Sequence, residues 1–165
     1  MSVFLLNMLD LLLYFREKKM LRIKPITKNN IHDFSGTSYD KMSIEQKQRM
    51  IMGSIDKVHE GSYFEFFVVY DDNKVLGFMS LLAHSKHIIS CSPEIKKEFR
   101  GKGFGKAAET LALKYAKDKG FTIAVATVND DNNASISLHE KLGFELAKKY
   151  HNKKGLLMRY YIKLL

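Results

Sequence analysis

A glycine-rich segment between a predicted strand and a predicted helix constrains this chain more than any other feature. It reads Arg100-Gly101-Lys102-Gly103-Phe104-Gly105-Lys106. Three alternating glycines let the backbone approach a ligand closely. A helix that begins here directs free N–H groups and the positive end of its dipole toward the same point. Because the side chains of Arg100, Lys102 and Lys106 add positive charge at this point, the segment predicts a binding site for a pyrophosphate group.

Two familiar phosphate motifs do not describe this segment. A Walker loop requires glycine at the position of Arg100 and serine or threonine at the position of Ala107. A dinucleotide fingerprint requires glycine at the position of Lys106. The alternative without any ligand is that the glycines only begin a helix.

Composition narrows the class of protein. The chain has 165 residues, one cysteine and 45% hydrophobic residues, which is typical of a single globular domain. One cysteine excludes an intramolecular disulfide framework and a multi-cysteine zinc site, and we predict no metal site. No stretch reaches the ~18 consecutive apolar residues that a membrane span needs.

The net charge of +9 is concentrated at the two ends of the chain, and residues 145–165 contain six basic residues and one acidic residue. Such an excess attracts a polyanion or a phosphorylated cofactor. We expect no nucleic-acid partner, because there is no zinc-finger spacing and no basic stretch interleaved with aromatic residues. A basic nucleic-acid-binding protein stays open as an alternative that only this C-terminal segment supports.

Residues 1–19 form an apolar extension. Its run over 3–15 is interrupted by Asn7 and Asp10, is too short to span a membrane and is a poor signal peptide. Three interpretations stay open: a helix packed on the domain or a partner, a weak membrane-surface helix, or a natural start at Met20. We expect no stable membrane insertion and a single domain over 20–165.

Hydrophobic periodicity predicts alternating strands and helices. Predicted strands cover residues 21–26, 63–70, 74–83, 87–95, 121–128, 144–147 and 156–163. Helical patterns cover residues 27–60, 103–120 and 132–142. In the first, Ser43 is the expected N-cap and Gly61 the expected end. The buried face expected there consists of Ile44, Ile51, Ile55 and Val58. The stripe expected in the second consists of Phe104, Ala108, Leu111 and Tyr115.

Two motifs on either side of the strand predicted over 121–128 resemble a known family. Arg100-x-x-Gly103-x-Gly105 resembles the acyl-CoA signature Q/R-x-x-G-x-G/A of the GNAT N-acetyltransferase superfamily. Asn132-Asn133-Ala134-Ser135-Ile136-Ser137-Leu138-His139-Glu140-Lys141-Leu142-Gly143-Phe144 resembles that family's N-x-x-A/S-x-x-L-Y-E-K-x-G-F helix. Its form Ser-x-x-Leu-His-Glu-Lys-Leu-Gly-Phe resembles the branch that includes phosphinothricin-type acetyltransferases. The resemblance covers nearly the whole chain apart from residues 1–19.

The resemblance implies an α/β fold with a mixed, mostly antiparallel central sheet of six to seven strands and helices on both faces. It also implies a splay between the fourth and fifth strands, where backbone groups pair with the pantetheine arm of CoA. The strand end at this gap is Glu94-Ile95-Lys96. Pro93 fits a locally unpaired strand, because proline cannot donate a hydrogen bond to a ladder.

By the same resemblance, acetyl-CoA is the co-substrate and residues 20–165 form a single acyl-CoA N-acyltransferase domain. Backbone N–H groups of the glycine segment would bind the pyrophosphate. Asn132 matches the family asparagine that contacts the cofactor arm, and it can also cap the helix. The implied cofactor-binding residues are Ile95, Lys96, Arg100, Gly101, Lys102, Gly103, Phe104, Gly105, Lys106, Asn132 and Ser135.

The implied reaction is direct attack of a primary amine on the acetyl thioester. The amine must lose a proton first, because an alkylammonium with a pKa near ~10 is not a nucleophile. The strand-end N–H of Ile95 is a candidate donor to the developing oxyanion. The acceptor is a small-molecule or protein amine, the expected location is the cytoplasm, and a homodimer is compatible with this function. A catalytically inactive acyl-CoA-binding module of the same fold is the alternative.

The catalytic acid departs from the family pattern. Many family members carry tyrosine where this chain has His139, and that tyrosine usually protonates the leaving thiolate. His139 is the candidate acid here, since an imidazole titrates near neutrality, and the alternative is a structural histidine packed on the helix. Other candidate donors are Tyr150, Tyr160 and Tyr161.

The catalytic base and the lone cysteine have open assignments. Glu94 is the candidate base, with His84 and His87 as alternatives, and each of the three can also be structural. Cys91 suggests a covalent acetyl-enzyme, although a single cysteine in a strand is more often a small core residue.

Overall fold

The computed structural model describes residues 21–165, so the apolar extension over 1–19 lies outside the described residues. The strands are β1 Leu21–Pro25, β2 Val58–His59, β3 Ser62–Asp71, β4 Lys74–Ala83, β5 Ile88–Ile95, β6 Ile123–Asn129, β7 Glu145–His151 and β8 Leu157–Leu164. The helices are α1 Ile44–Ile55, α2 Phe104–Asp118 and α3 Asn133–Lys141. Short 3₁₀ helices cover Lys28–His32, Ser38–Lys41 and Lys97–Phe99.

Seven strands form one path in the order β1-β3-β4-β5-β6-β8-β7, and β2 pairs with β3 outside it. Neighbours are antiparallel except β5 and β6, which run parallel. This mixed, mostly antiparallel sheet confirms the predicted fold class. The two-residue strand β2 is an addition that hydrophobic alternation could not reveal, because two residues are too few to show a period of two.

The parallel strands β5 and β6 separate after three paired positions. Residues 88–90 pair with residues 123–125, whereas β5 continues to pair with β4 as far as Ile95. Pro93 lies in the part of β5 that has lost its β6 partner, which suits a residue without an N–H group. The predicted splay is therefore confirmed between β5 and β6.

The sheet separates two hydrophobic clusters. On one face α2 and α3 pack on the central strands, and α2 contributes Ala108, Ala112 and Ala116. On the other face α1 packs with aromatic side chains, among which Phe34 and Phe78 stack with ring centroids 4.6 Å apart. Helices thus cover both faces, and the small residues of α2 allow this helix to lie close beneath the splayed strands.

The helix predicted over 27–60 is wrong in extent. Only α1 is α-helical, and 3₁₀ turns precede it around Gly36, whose φ of 80° lies in the left-handed region. Ser43 is the N-cap, as predicted, and it forms a capping box with Gln46. The helix ends at Ile55, well before Gly61. No helix within residues 21–165 is long and apolar enough to cross a membrane.

The predicted buried face of α1 is also mostly wrong. Ile51 is buried, but Ile44, Ile55 and Val58 are 60, 47 and 52% exposed. The helix contacts the sheet along a narrow side formed by Ile51 and Ser54, which are its buried residues. A face defined by apolar residues alone therefore overestimates how much of this helix is covered.

The buried stripe of α2 is turned relative to the prediction. Its buried residues are Ala108, Glu109, Ala112, Leu113 and Ala116. Ala108 was predicted correctly, whereas Phe104, Leu111 and Tyr115 are only partly buried. The turn of the stripe brings a glutamate into the core.

Candidate active site

The gap between β5 and β6 opens into a cleft of about 1080 Å³. The end of β5, the glycine segment and the first turn of α3 all line this cleft. Two sequence motifs that are separated by the whole of α2 and β6 therefore meet at one place.

The glycine segment has the geometry of an anion site. Gly101 and Gly103 have φ values of 75° and 80°, a region that favours glycine. A Cβ at either position would meet no atom within 4 Å, so this side of the backbone is open. The N–H of Ala107 donates to the carbonyl of Gly103, so the N–H groups of Gly105 and Lys106 in the first turn have no partner inside the helix. These groups fit the pyrophosphate of acetyl-CoA.

Arg100 binds protein groups at the end of β5. Its Nη2 donates to Oε1 of Glu94 and its Nε donates to the carbonyl oxygen of Ile95, each at 2.8 Å. The backbone N–H of Ser38 donates to the same Glu94 oxygen at 3.2 Å. The predicted cofactor-binding arginine and the candidate base thus form an ion pair, and a proton accepted by Glu94 would go to Oε2.

The lysines of the predicted set differ in their positions. Lys106 lines the cleft, whereas Nζ of Lys102 donates to the carbonyl of Glu98 at 3.2 Å. The N–H of Lys96 donates to the carbonyl of Leu76 in β4. Because N–H groups alternate along a strand, the N–H of Ile95 points away from β4 and toward the gap. This orientation suits the predicted oxyanion donor.

Asn132 and Ser135 begin α3 at the wall of the cleft. Oδ1 of Asn132 accepts a hydrogen bond from the N–H of Ser135 at 3.1 Å, so Asn132 is an N-cap. Both residues line the cleft. The capping contact uses only the side-chain oxygen, and the amide nitrogen of Asn132 is left available to a ligand's acceptor atoms.

His139 is buried, with 5% of its surface exposed, and both ring nitrogens face groups of the protein. Nδ1 lies 2.7 Å from the carbonyl oxygen of Ser135 and 3.4 Å from its hydroxyl oxygen. Nε2 lies 3.4 Å from Oε1 of Glu109. The ring stacks on Tyr161 and meets the edge of Phe144. In this arrangement neither nitrogen is free to contact a thiolate directly.

The environment of His139 acts on its pKa in two directions. Burial is the largest single effect and lowers the pKa, but the Glu109 carboxylate and the Ser135 carbonyl together outweigh it. The pKa of His139 is therefore raised above its ordinary value. Glu109 is fully buried, and its contact with Nε2 at 3.4 Å is an ion pair that is longer than an ordinary hydrogen bond; neither of its oxygens has another hydrogen-bond partner within the described residues.

The remaining candidate proton donors and bases differ in whether they line the cleft. Tyr160 and His84 line the cleft, whereas Tyr150 and His87 do not belong to its lining. Tyr161 is fully buried, and its hydroxyl donates to Glu140 at 3.2 Å. Of the three tyrosines proposed as donors, only Tyr160 is therefore placed to meet a substrate.

Cys91 is a core residue. It is 3% exposed, and burial together with the nearby Glu109 carboxylate raises the pKa of its thiol to about 12. The side chain thus stays a neutral thiol at physiological pH, which disfavours a covalent acetyl-enzyme.

Sequence reasoning missed Glu109 and the Glu94–Arg100 ion pair. Glu109 was detectable, because Ala112, Leu113 and Ala116 follow it at helical steps of three, four and seven, and a charge on a buried stripe needs a partner. No comparable signal linked Glu94 to Arg100, since their contact depends on how the chain turns after β5.

The fold and the cleft define a class of α/β proteins with a split sheet and a helix N-terminus for an anionic cofactor. The sequence profile of the Acetyltransferase (GNAT) family matches residues 26–144, more than half of the chain. The chain belongs to this family, whose members are acyltransferases.

Two curated relatives are similar over part of the chain. Mycothiol acetyltransferase of Streptomyces coelicolor is 30% identical over 81 residues, which are 48% of this chain and 26% of the relative. L-methionine sulfoximine/L-methionine sulfone acetyltransferase of Pseudomonas paraeruginosa is 32% identical over 71 residues, 43% of this chain and 37% of the relative. The chain thus spans well under half the length of either protein. The narrower resemblance to the phosphinothricin-type branch stays a prediction.

Two solved structures share the fold. Ribosomal-protein-alanine N-acetyltransferase from Brucella melitensis has a TM-score of 0.74 at 19% identity, covering 87% of this chain and 99% of that chain. A putative acetyltransferase from Salmonella typhimurium, solved with its cofactor acetyl-CoA, has a TM-score of 0.69 at 17% identity, covering 88% and 94%.

Proposed function

We propose that this protein transfers an acetyl group from acetyl-CoA to a primary amine by direct attack. One observation carries the proposal: the start of α2, where the N–H groups of Gly105 and Lys106 have no partner inside the helix, adjoins the gap between β5 and β6. This arrangement offers a site for the pyrophosphate and, next to it, free strand edges for the pantetheine arm. The pyrophosphate and the pantetheine arm of CoA would thereby bind in one cleft.

The following residues bind acetyl-CoA or take part in the reaction in this proposal. Residues 101–106 bind the pyrophosphate through their backbone, and Asn132 contacts the arm. The N–H of Ile95 stabilises the developing oxyanion. Glu94 accepts the proton of the attacking amine, and His139 is the source of the proton for the leaving thiolate.

The acceptor class is an amine on a small molecule or on a protein. Arg100 neutralises Glu94, the acidic residue of the cleft lining, and Lys106 and Lys141 add positive charge there. This excess of positive charge favours an acceptor without several positive charges over a polycation. The similar proteins span both kinds of acceptor by name, a methionine sulfoximine acetyltransferase and a ribosomal-protein-alanine acetyltransferase. We place the reaction in the cytoplasm, where acetyl-CoA is available, and a homodimer stays a prediction.

Two measurements test this function. Titration calorimetry with acetyl-CoA and with free CoA should show binding of both. Thiol release should then be followed with L-methionine sulfoximine, a peptide that begins with alanine, and spermidine as the polycation. Thiol release that depends on one of the first two amines supports the proposal, and absence of CoA binding refutes it.

A second candidate function is an acyl-CoA-binding module without catalysis. It is favoured by the engagement of both His139 nitrogens inside the protein. Binding of acetyl-CoA without amine-dependent thiol release from any member of the panel would support this second function instead.

A further inference from the structure

The contacts of His139 determine where its protons lie. The carbonyl oxygen of Ser135, 2.7 Å from Nδ1, can only accept a hydrogen bond, so Nδ1 carries a proton. A neutral ring with its proton there would direct the lone pair of Nε2 at the Glu109 carboxylate, 3.4 Å away. Two acceptors facing each other in a buried site are unfavourable. A second proton on Nε2, facing Oε1, would remove this conflict and make the contact an ion pair.

Ser135 offers His139 two different oxygens. When Nδ1 carries a proton, it donates to the carbonyl at 2.7 Å. When Nδ1 has lost that proton, it can accept from the Ser135 hydroxyl, whose oxygen lies 3.4 Å away. The hydroxyl can thus serve either state without movement of the ring, but a deprotonated Nδ1 also faces the carbonyl oxygen at 2.7 Å, which makes that state short-lived and favours return of the proton. Ser135 lines the cleft and is partly exposed, whereas Glu109 is fully buried behind His139.

We propose that Glu109, His139 and Ser135 form a proton relay in which the Ser135 hydroxyl is the group that protonates the leaving thiolate. This proposal rests on the proposed acetyltransferase function. It assigns Ser135 as a catalytic residue and Glu109 as a positioning residue that keeps the proton of His139 in place. It also resolves how a histidine with both nitrogens occupied can act as the acid.

The relay balances its protons. The amine nitrogen forms a bond to the acetyl carbon while the carbon–sulfur bond breaks and its electron pair goes to sulfur. The Ser135 O–H proton passes to that sulfur, and the Nδ1 proton of His139 passes to the Ser135 oxygen. His139 is then a neutral ring whose Nε2–H donates to the Glu109 carboxylate. The proton lost by the amine nitrogen enters water by way of the base, and a proton from water restores His139.

The groups around the relay are consistent with a stored proton. Glu109 faces His139 from α2, and Cys91 of β5, whose pKa is raised by burial and by the Glu109 carboxylate, is a neutral thiol. Tyr161 of β8 stacks on the ring. The Tyr161 hydroxyl donates to Glu140 and accepts from Arg159, so these two opposite charges contact that hydroxyl and each other. Among residues 21–165, Glu109 is thus the only carboxylate that forms an ion pair with a ring nitrogen of His139.

The test is the pH profile of kcat in wild type, Glu109→Gln and Ser135→Ala, with acetyl-CoA and L-methionine sulfoximine or the alanine-initial peptide, whichever wild type acetylates. Glutamine keeps the shape of Glu109 and can donate to Nε2, but it cannot hold the second proton. In Glu109→Gln we expect the alkaline limb to move to lower pH by on the order of one unit. Ser135→Ala should lower kcat by about 10- to 100-fold, with KM for acetyl-CoA changed far less.

Two further variants separate the relay from a structural role. Glu109→Asp retains a carboxylate and should restore part of the alkaline shift. Glu140→Gln removes a carboxylate from the next residue of α3, which is exposed, and should leave the limb where it is in wild type. Calorimetry with acetyl-CoA shows whether each variant keeps its cleft, and a loss of binding in Glu109→Gln would refute a role confined to the proton.

The failure of the relay can be told apart from the failure of the function. If wild type acetylates an amine and the profile of Glu109→Gln matches wild type, the relay is wrong and the acetyltransferase function stands. If wild type acetylates neither amine, the proposed function is wrong and the relay falls with it. NMR titration of the His139 ring adds an independent readout, since its pKa should fall in Glu109→Gln.

Discussion

Gly77 of β4 should not tolerate even a methyl group, because β5 lies directly against it. A Cβ at this position would overlap the carbonyl oxygen of Glu94 and lie 2.8 Å from Cα of Ile95. Non-bonded carbon atoms prefer about 3.5–4.0 Å, so the backbone of β5 must move by roughly 1 Å. Overpacking typically costs about 1–3 kcal/mol, and Gly77→Ala should lie near the upper end because the obstacle is main chain. For a domain of this size that corresponds to a fall in Tm of roughly 5–10 °C.

The displacement falls on the strand end that lines the cleft, so acetyl-CoA affinity should drop together with stability. Urea unfolding and titration calorimetry on the same preparation measure both quantities. Gly105→Ala is the matched control: its Cβ would lie an ordinary 3.8 Å from Ile95, and it sits in a helix. That variant should be as stable as wild type or more stable by about 0.5–1 kcal/mol. Gly77→Ala with wild-type stability and affinity would show that the strands can adjust freely, and the reasoning would be wrong.

Three other predictions follow from single contacts. Gly103→Glu should abolish acetyl-CoA binding in calorimetry, since a carboxylate would face the pyrophosphate. The control Gly61→Glu, at a glycine with an equally left-handed φ and equally open surroundings, should bind acetyl-CoA as wild type does. Binding of acetyl-CoA by Gly103→Glu would show that the pyrophosphate site lies elsewhere. Ser54→Ala should cost about 1–3 kcal/mol in urea unfolding, because Oγ accepts from the N–H of Phe66 at 2.8 Å; a loss below ~0.5 kcal/mol would mean that water replaces the hydroxyl. The pKa of His139 is raised in the folded protein. Its contribution to the free energy of unfolding is therefore complete below the unfolded pKa of about 6.5 and is lost as the pH rises through the folded pKa. A free energy of unfolding that does not decline over this pH range would contradict the buried ion pair.

Two helix N-termini and the glycine segment could be predicted from local chemistry. Ser43 and Asn132 are N-caps in the structure because a side-chain oxygen three residues before a free N–H needs no distant partner. Gly101 and Gly103 adopt left-handed conformations that few other residues accept. The glycine segment and the start of α3 were therefore recognisable as motifs before any strand was paired.

The buried face of α1 could not be predicted in the same way. Ile44, Ile55 and Val58 have helical spacing, yet they are exposed because the sheet beneath α1 is covered mainly by aromatic rings from other segments. Periodicity reports which residues share a face of a helix. Whether that face is buried depends on what else competes for the same surface of the sheet.

The sequence by itself determined the class of this protein, because glycine conformations, caps and alternating strands depend on neighbours in the chain. Only the tertiary structure decided which charged groups meet. Glu94 and Arg100 pair across a turn, and Glu109 reaches His139 from a different helix. The physical reason is that a buried charge is stable only beside a partner, and the partner is chosen by the packing of α2 and α3 under the splayed strands.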